Sequence, residues 1–209
     1  LLVLLEAHFM QYPYFLGGQP TQADYSIMGA LHAHLGRDPA GLRIMQNHAP
    51  RTVRWVEQML LPEVQSPEFY SVDIRLAPND LVPETALNLL RHLADAYANN
   101  FLLGALAWNQ VVAERGIDAI AEQLSARDQP IFDPVSIQIN QAQFEHAIQV
   151  YPEWLAQRSR RFFQALPQDD QAAVCGQLGH STLIDLLTTP VTYPLVRRSQ
   201  RFQIDAQTE

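Results

Sequence analysis

With 209 residues, 47% hydrophobic and 17% charged, the chain can bury one large globular core or two small ones and does not read as disordered. A net charge of −8 argues against non-specific nucleic-acid binding, and because all 14 basic residues are Arg, lysine Schiff-base chemistry is excluded within the chain. A single Cys forms no intramolecular disulfide framework and suits a reducing cytoplasm.

Leu1, Leu4, Leu5, His8 and Phe9 make a helical stripe, and Tyr12-Pro13-Tyr14 breaks it. The apolar run from Leu1 ends at Glu6, too short to span a bilayer, so no membrane partner is expected. The chain opens without Met, which reads as a cut inside a longer parent or as a disordered or removed front portion. Gly17-Gly18-Gln19-Pro20-Thr21-Gln22-Ala23-Asp24 comes next. Thr21 is placed to cap a helix from its hydroxyl, and Asp24, three residues on, to reach back to the Thr21 N–H. Tyr25, Met28, Leu31 and Leu35 recur at helical spacing, so this helix is expected to enter a core, with Gly36 just past its end. Asp38 with Pro39 starts a short helix, and Pro50 another, with Val53, Val56 and Leu60 inward and Trp55 at the edge.

Residues 62–83, punctuated by Pro62, Pro67, Pro78 and Pro83, read as a connector or as an excursion packed over the first helices. From Leu87 to Val112 apolar residues step by three or four, which predicts one helix of about 30 residues, roughly 45 Å long. Gly104 in its middle suggests close approach of a neighbour. A short helix follows Gly116. Val135, Ile137 and Ile139 alternate as a strand would, and Asn140 with Gln143 suggests a capping box for a helix through Phe144, Ile148 and Tyr151. Pro152 kinks that helix or opens another through Leu155, Phe162 and Leu166. Two more helices are expected, one from Pro167 to Gly179 and one capped by Thr182 and Asp185. The tail from Arg197 to Glu209 is polar and reads as surface-bound or loose.

Gly18-x-x-Thr21-x-Ala23-Asp24 resembles the signature that starts the buried central helix in the C-terminal domain of cytosolic glutathione transferases. Ala49-Pro50-Arg51-Thr52-Val53-Arg54-Trp55-Val56 resembles a later helix of the same domain, so the resemblance covers residues 1–61. It implies a helical bundle like that C-terminal domain over 1–61; with the connector at 62–83 and a long helical extension over 84–209, both read from the proline and apolar spacing, the expected fold is all-α. The resemblance implies glutathione as co-substrate of the parent protein, held by a thioredoxin-like domain outside this chain and not expected to bind this chain alone. It further implies a small apolar electrophile as second substrate and a homodimer contact. Thr21 and Asp24 are structural in this reading, and no catalytic residue is assigned. Tyr97, Phe101 and Trp108 lie on one face of the long helix and would line the electrophile's pocket; their plainer role is a helix–helix seam. A non-catalytic helical module for protein partners or apolar ligands is the alternative.

Other candidates are sparse. His32 and His34 are two apart and point to different sides, and no His/Cys spacing suits zinc, so no metal is expected. Cys175 reads as a buried thiol. Arg158, Arg160 and Arg161, and Arg197, Arg198 and Arg201, are basic clusters that suit anions or a solvated face.

Overall fold

A computed structural model describes residues 1–126, 131–139 and 142–205. The protein is mostly helical, with two small antiparallel hairpins. Its contacts divide it into two compact units, 1–92 and 93–209, with the division inside one long helix.

In the first unit, α1 (Leu2–Phe9) turns Leu5, His8 and Phe9 inward. The helix α2 (Gln22–Ala30) runs into a wider turn over Leu31–Leu35 closed by Gly36 N–H donating to Leu31 O at 2.7 Å, five residues back. Gly36 therefore keeps a right-handed φ of −70°, where a left-handed C-cap was expected. The core expectation for this helix also needs correcting. Asp24 and Leu31 are buried, whereas Tyr25 is 54% exposed and Leu35 lies at the surface. Asp38 Oδ1 caps α3 (Pro39–His48) through Ala40 N and Gly41 N. In α4 (Pro50–Met59), Thr52, Trp55, Val56 and Met59 are buried. Trp55 is central rather than at the edge: its ring stacks on Phe9 at 4.2 Å and meets Phe15 at 5.9 Å. Glu6 on α1 accepts from Arg51 N and Thr52 N, two of the free amides at the start of α4.

The 62–83 stretch packs on this unit. Gly18 N donates to Arg75 O and Ala77 N to Leu16 O, each at 2.8 Å, and Tyr14 OH donates to Gln65 O. The backbones come so close that a Cβ on Gly18 would sit 1.9 Å from Asp73 O. Gly17 adopts φ +131°. The glycines are thus required by the close approach of residues 72–77 of the same chain, besides the turn itself.

The long helix α5 (Glu84–Arg115) forms as its period predicts and ends at Gly116, φ +83°. In the second unit, α6 (Ile117–Ala126) precedes the hairpin β1 (Ile131–Ile139) and β2 (Ala142–Gln149), in which Ile137 pairs with Phe144. The helix expected from Gln143 is a strand. Phe144, His146 and Ile148 alternate with period two, and antiparallel pairing overrides the local capping signal. Asn140 lies outside the described residues.

α7 (Val150–Gln164) starts at the end of β2, with Pro152 in its first turn, where the missing N–H costs nothing. Its buried face is Val150, Glu153, Gln157, Arg160 and Phe163; Leu155 and Phe162, expected inward, are exposed. α8 (Gln168–Leu178) ends on left-handed Gly179. α9 (Ser181–Thr188) is capped by His180 Nδ1, not Thr182. The described part of the tail, through residue 205, is structured too. β3 (Leu195–Arg198) and β4 (Arg201–Ile204) form a hairpin through Ser199 and Gln200, both at positive φ. Leu195 and Phe202 enter the core with Ala107, Trp108, Val112, Ile120, Leu124 and Val150.

Candidate functional site

A cavity of about 180 Å3 lies within the second unit. Two walls form it. Tyr97, Asn100, Phe101 and Gly104 line one side of α5 at spacings of three, one and three, so they share a helix face. Gln149, Pro152 and Glu153, from the end of β2 and the first turn of α7, make the other. A Cβ on Gly104 would meet no atom within 4 Å among the described residues. Gly104 therefore opens space rather than admitting a neighbour, which corrects the close-approach reading.

The polar groups at the cavity are few and specific. Asn100 Oδ1 is buried and finds no hydrogen-bond partner among the described residues. Glu153 is 4% exposed. Its Oε1 accepts from Gln157 Nε2 at 2.9 Å and from Arg160 Nη2. Gln157 also donates to Tyr193 O at 3.2 Å and accepts from Leu195 N at 2.7 Å, tying α7 to the final hairpin. Arg160 is 0% exposed, so it belongs to this buried pair and not to a solvated basic cluster with Arg158 and Arg161. Its Nε and Nη1 lack partners among the described residues. Burial pushes the Glu153 carboxyl above its ordinary range, with Arg160 and Gln157 pulling the other way.

Tyr97 and Phe101 are half-exposed residues of the cavity rim. Trp108, named with them from the sequence, is 0% exposed in the core, and its Nε1 donates to Tyr193 O at 2.9 Å. Two more turns of helix carry it out of the cavity and into the seam. Asn100, Pro152 and Glu153 were missed. Asn100 was legible as the polar residue three after Tyr97. Glu153, Gln157 and Arg160 step by four and three along a helix, a polar stripe where an apolar one was sought.

In the first unit, Thr21 and Asp24 form the expected capping box. Asp24 Oδ2 accepts from Thr21 N and Thr21 Oγ1, both at 2.8 Å, and Oδ1 accepts from Phe15 N at 3.0 Å. Asp24 is 0% exposed; burial raises its carboxyl above the ordinary range, and these donors oppose that shift. His8, a member of the first helical stripe, is buried. Nδ1 lies 2.7 Å from Thr85 Oγ1 and Nε2 3.3 Å from Tyr14 O. The carbonyl can only accept, so Nε2 carries the proton and Nδ1 accepts from the Thr85 hydroxyl. Burial lowers its pKa to about 4, so the ring is neutral at pH 7. Cys175 is partly buried.

Among the described residues, no His, Cys, Asp and Glu group of three is placed to hold a metal ion, and no helix is long and apolar enough to cross a membrane. No family model matches the chain, and neither does any curated protein or solved structure.

Proposed function

We propose that this chain is the helical, apolar-ligand-binding part of a glutathione transferase-like protein. The observation that carries the reading is the grip of the buried Asp24 carboxylate on Phe15 N, Thr21 N and Thr21 Oγ1. The Gly17-Gly18 turn packed ahead of it supports the same reading. In this reading a glutathione thiolate, activated by a hydroxyl donor in a thioredoxin-like domain outside the chain, attacks a small apolar electrophile. This chain supplies no reacting group. Its part is to hold the electrophile against aromatic and aliphatic surface and to exclude water, which raises the effective concentration of the pair. The exposed Tyr25 and Leu35 on the α2 side are assigned to contact with the rest of the parent molecule or its dimer partner.

Calorimetric titration of glutathione tests the division of labour. The chain alone is expected to give no binding, and the product of the complete gene to bind. Tight binding to this chain alone contradicts the assignment.

A second reading has its own observation. The 180 Å3 cavity, lined by Tyr97, Phe101 and Pro152, suits a non-catalytic binder of small apolar molecules. Thiol consumption by the complete gene product separates the two.

A further inference from the structure

We propose that the outer face of α7 docks an amphipathic helix of a partner protein, one whose apolar stripe is flanked by Asp or Glu. The proposal is independent of the transferase reading, and no thiol or electrophile enters its test.

Spacing comes first. Val150, Glu153, Gln157, Arg160 and Phe163 are the face by which α7 is buried in the second unit. Tyr151, Leu155, Arg158 and Phe162 follow one another at steps of four, three and four, on the other side of the helix. All four are exposed, Phe162 at 72%. Alternating steps of four and three make the heptad seam through which two helices pack side by side. Between Tyr151 and Phe162 this seam runs for about three turns, roughly 16 Å. The solvent side of a surface helix is ordinarily polar, so three large apolar side chains in register there mark a face with an absent neighbour.

Charge chooses that neighbour. Arg158 sits in the seam, its guanidinium 6.0 Å from the Trp154 ring centroid. Arg161, three residues on, lies beside it. The final hairpin adds Arg197, 5.7 Å from the Phe202 ring centroid. Phe202 in turn meets Tyr151 at 6.4 Å and Trp154 at 5.9 Å, so Arg197 stands at the Tyr151 end of the seam. Arg158, Arg161 and Arg197 are all exposed, and none is ion-paired with a carboxylate among the described residues. An apolar strip edged by three such cations is complementary to a helix with acidic flanks. The same charges weigh against other occupants. A second copy docked through this face would bring the arginines of both copies together. An anionic bilayer would meet a chain of net charge −8.

Fluorescence anisotropy with synthetic peptides tests the proposal. A labelled peptide of three heptads, with Leu in the seam and Glu beside it, is titrated with this chain, and so is its twin with Lys for Glu. The Glu peptide is expected to bind with a Kd of about 10–500 μM, as suits a short seam. The Lys peptide is expected to bind at least about tenfold more weakly. Phe162→Ser should weaken the Glu peptide at least about fivefold. Arg158→Glu combined with Arg161→Glu should reverse the preference between the two peptides. Equal affinity for the peptides, no binding of the Glu peptide, or unchanged binding in folded Phe162→Ser overturns the proposal. Binding to phosphatidylserine vesicles in place of the Glu peptide, or a dimer of this chain that Phe162→Ser dissolves, gives the face to another occupant and equally overturns it. If Phe162→Ser does not fold, the ratio of the two peptide affinities on the unaltered chain decides.

Discussion

The backbone N–H of Phe15 donates to the carboxylate of Asp24 at 3.0 Å, across nine residues of sequence. This bond fixes the loop that leads into α2, because the same carboxylate also holds Thr21 N and Thr21 Oγ1. Asp24→Ala removes the shared acceptor and leaves the buried Phe15 amide unpaired. We expect the first unit to lose about 2–4 kcal/mol, from one lost cap and one orphaned donor. Amide hydrogen exchange at Phe15 checks this directly: exchange should speed up in Asp24→Ala and stay slow in Thr21→Ser, which keeps a hydroxyl.

Two glycines should respond in opposite ways. Gly18→Ala drives a Cβ into the Asp73 carbonyl, where backbone cannot yield cheaply. A loss of more than about 2 kcal/mol is expected, in the range of overpacked sites. Gly104→Ala meets nothing within 4 Å and removes a helix penalty, so a gain of up to about 1 kcal/mol is expected. Urea denaturation of the two variants measures both.

The buried pair of Glu153 and Arg160 should be costly to break and cheap to replace. Glu153→Leu alone strands the Arg160 guanidinium at 0% exposure and should cost about 3–5 kcal/mol. Adding Arg160→Met should recover most of that, since an apolar pair of similar volume needs no solvation. A double-mutant cycle by chemical denaturation reads the coupling.

Acid should weaken the first unit through His8. Its folded pKa of about 4 lies below the unfolded value of 6.5, so the unfolded chain binds the proton more readily. The stability that His8 contributes is complete above pH 6.5 and drains as pH falls toward 4, by about 3 kcal/mol at the limit. Asp24 runs the other way, because its folded pKa is raised: protonation in the acid range favours the folded form. His8→Gln removes the titrating ring, so its loss of stability between pH 6.5 and 4 should be smaller than in the unaltered chain. Denaturation midpoints across that window test the difference.

Much of the helical framework was legible in the sequence, and the reasons are local. The Thr21–Asp24 box, the Asp38 cap with Pro39, and the stop at Gly116 depend on a few neighbouring residues. The 32-residue α5 follows from an uninterrupted period. Errors fall where strand pairing or core packing overrides local preference. Gln143 reads as a capping residue yet belongs to β2, and the tail reads as loose yet Phe202 is core. The cavity was half legible. Tyr97 and Phe101 announce an aromatic face, but the opposite wall needs the hairpin that brings Gln149 and Pro152 beside them. Trp108 shares their helical period, and its core role rests on residues far along the chain, Leu195 and Phe202 packed in the same cluster and Tyr193 O accepting from its Nε1.

The most direct test of the account is the rate of glutathione consumption with a small apolar electrophile such as 1-chloro-2,4-dinitrobenzene, measured on the product of the complete gene. Thioether formation well above the spontaneous rate is expected of the complete product, and none of this chain alone. A folded complete product that leaves glutathione untouched contradicts it, as does thiol transfer by this chain on its own.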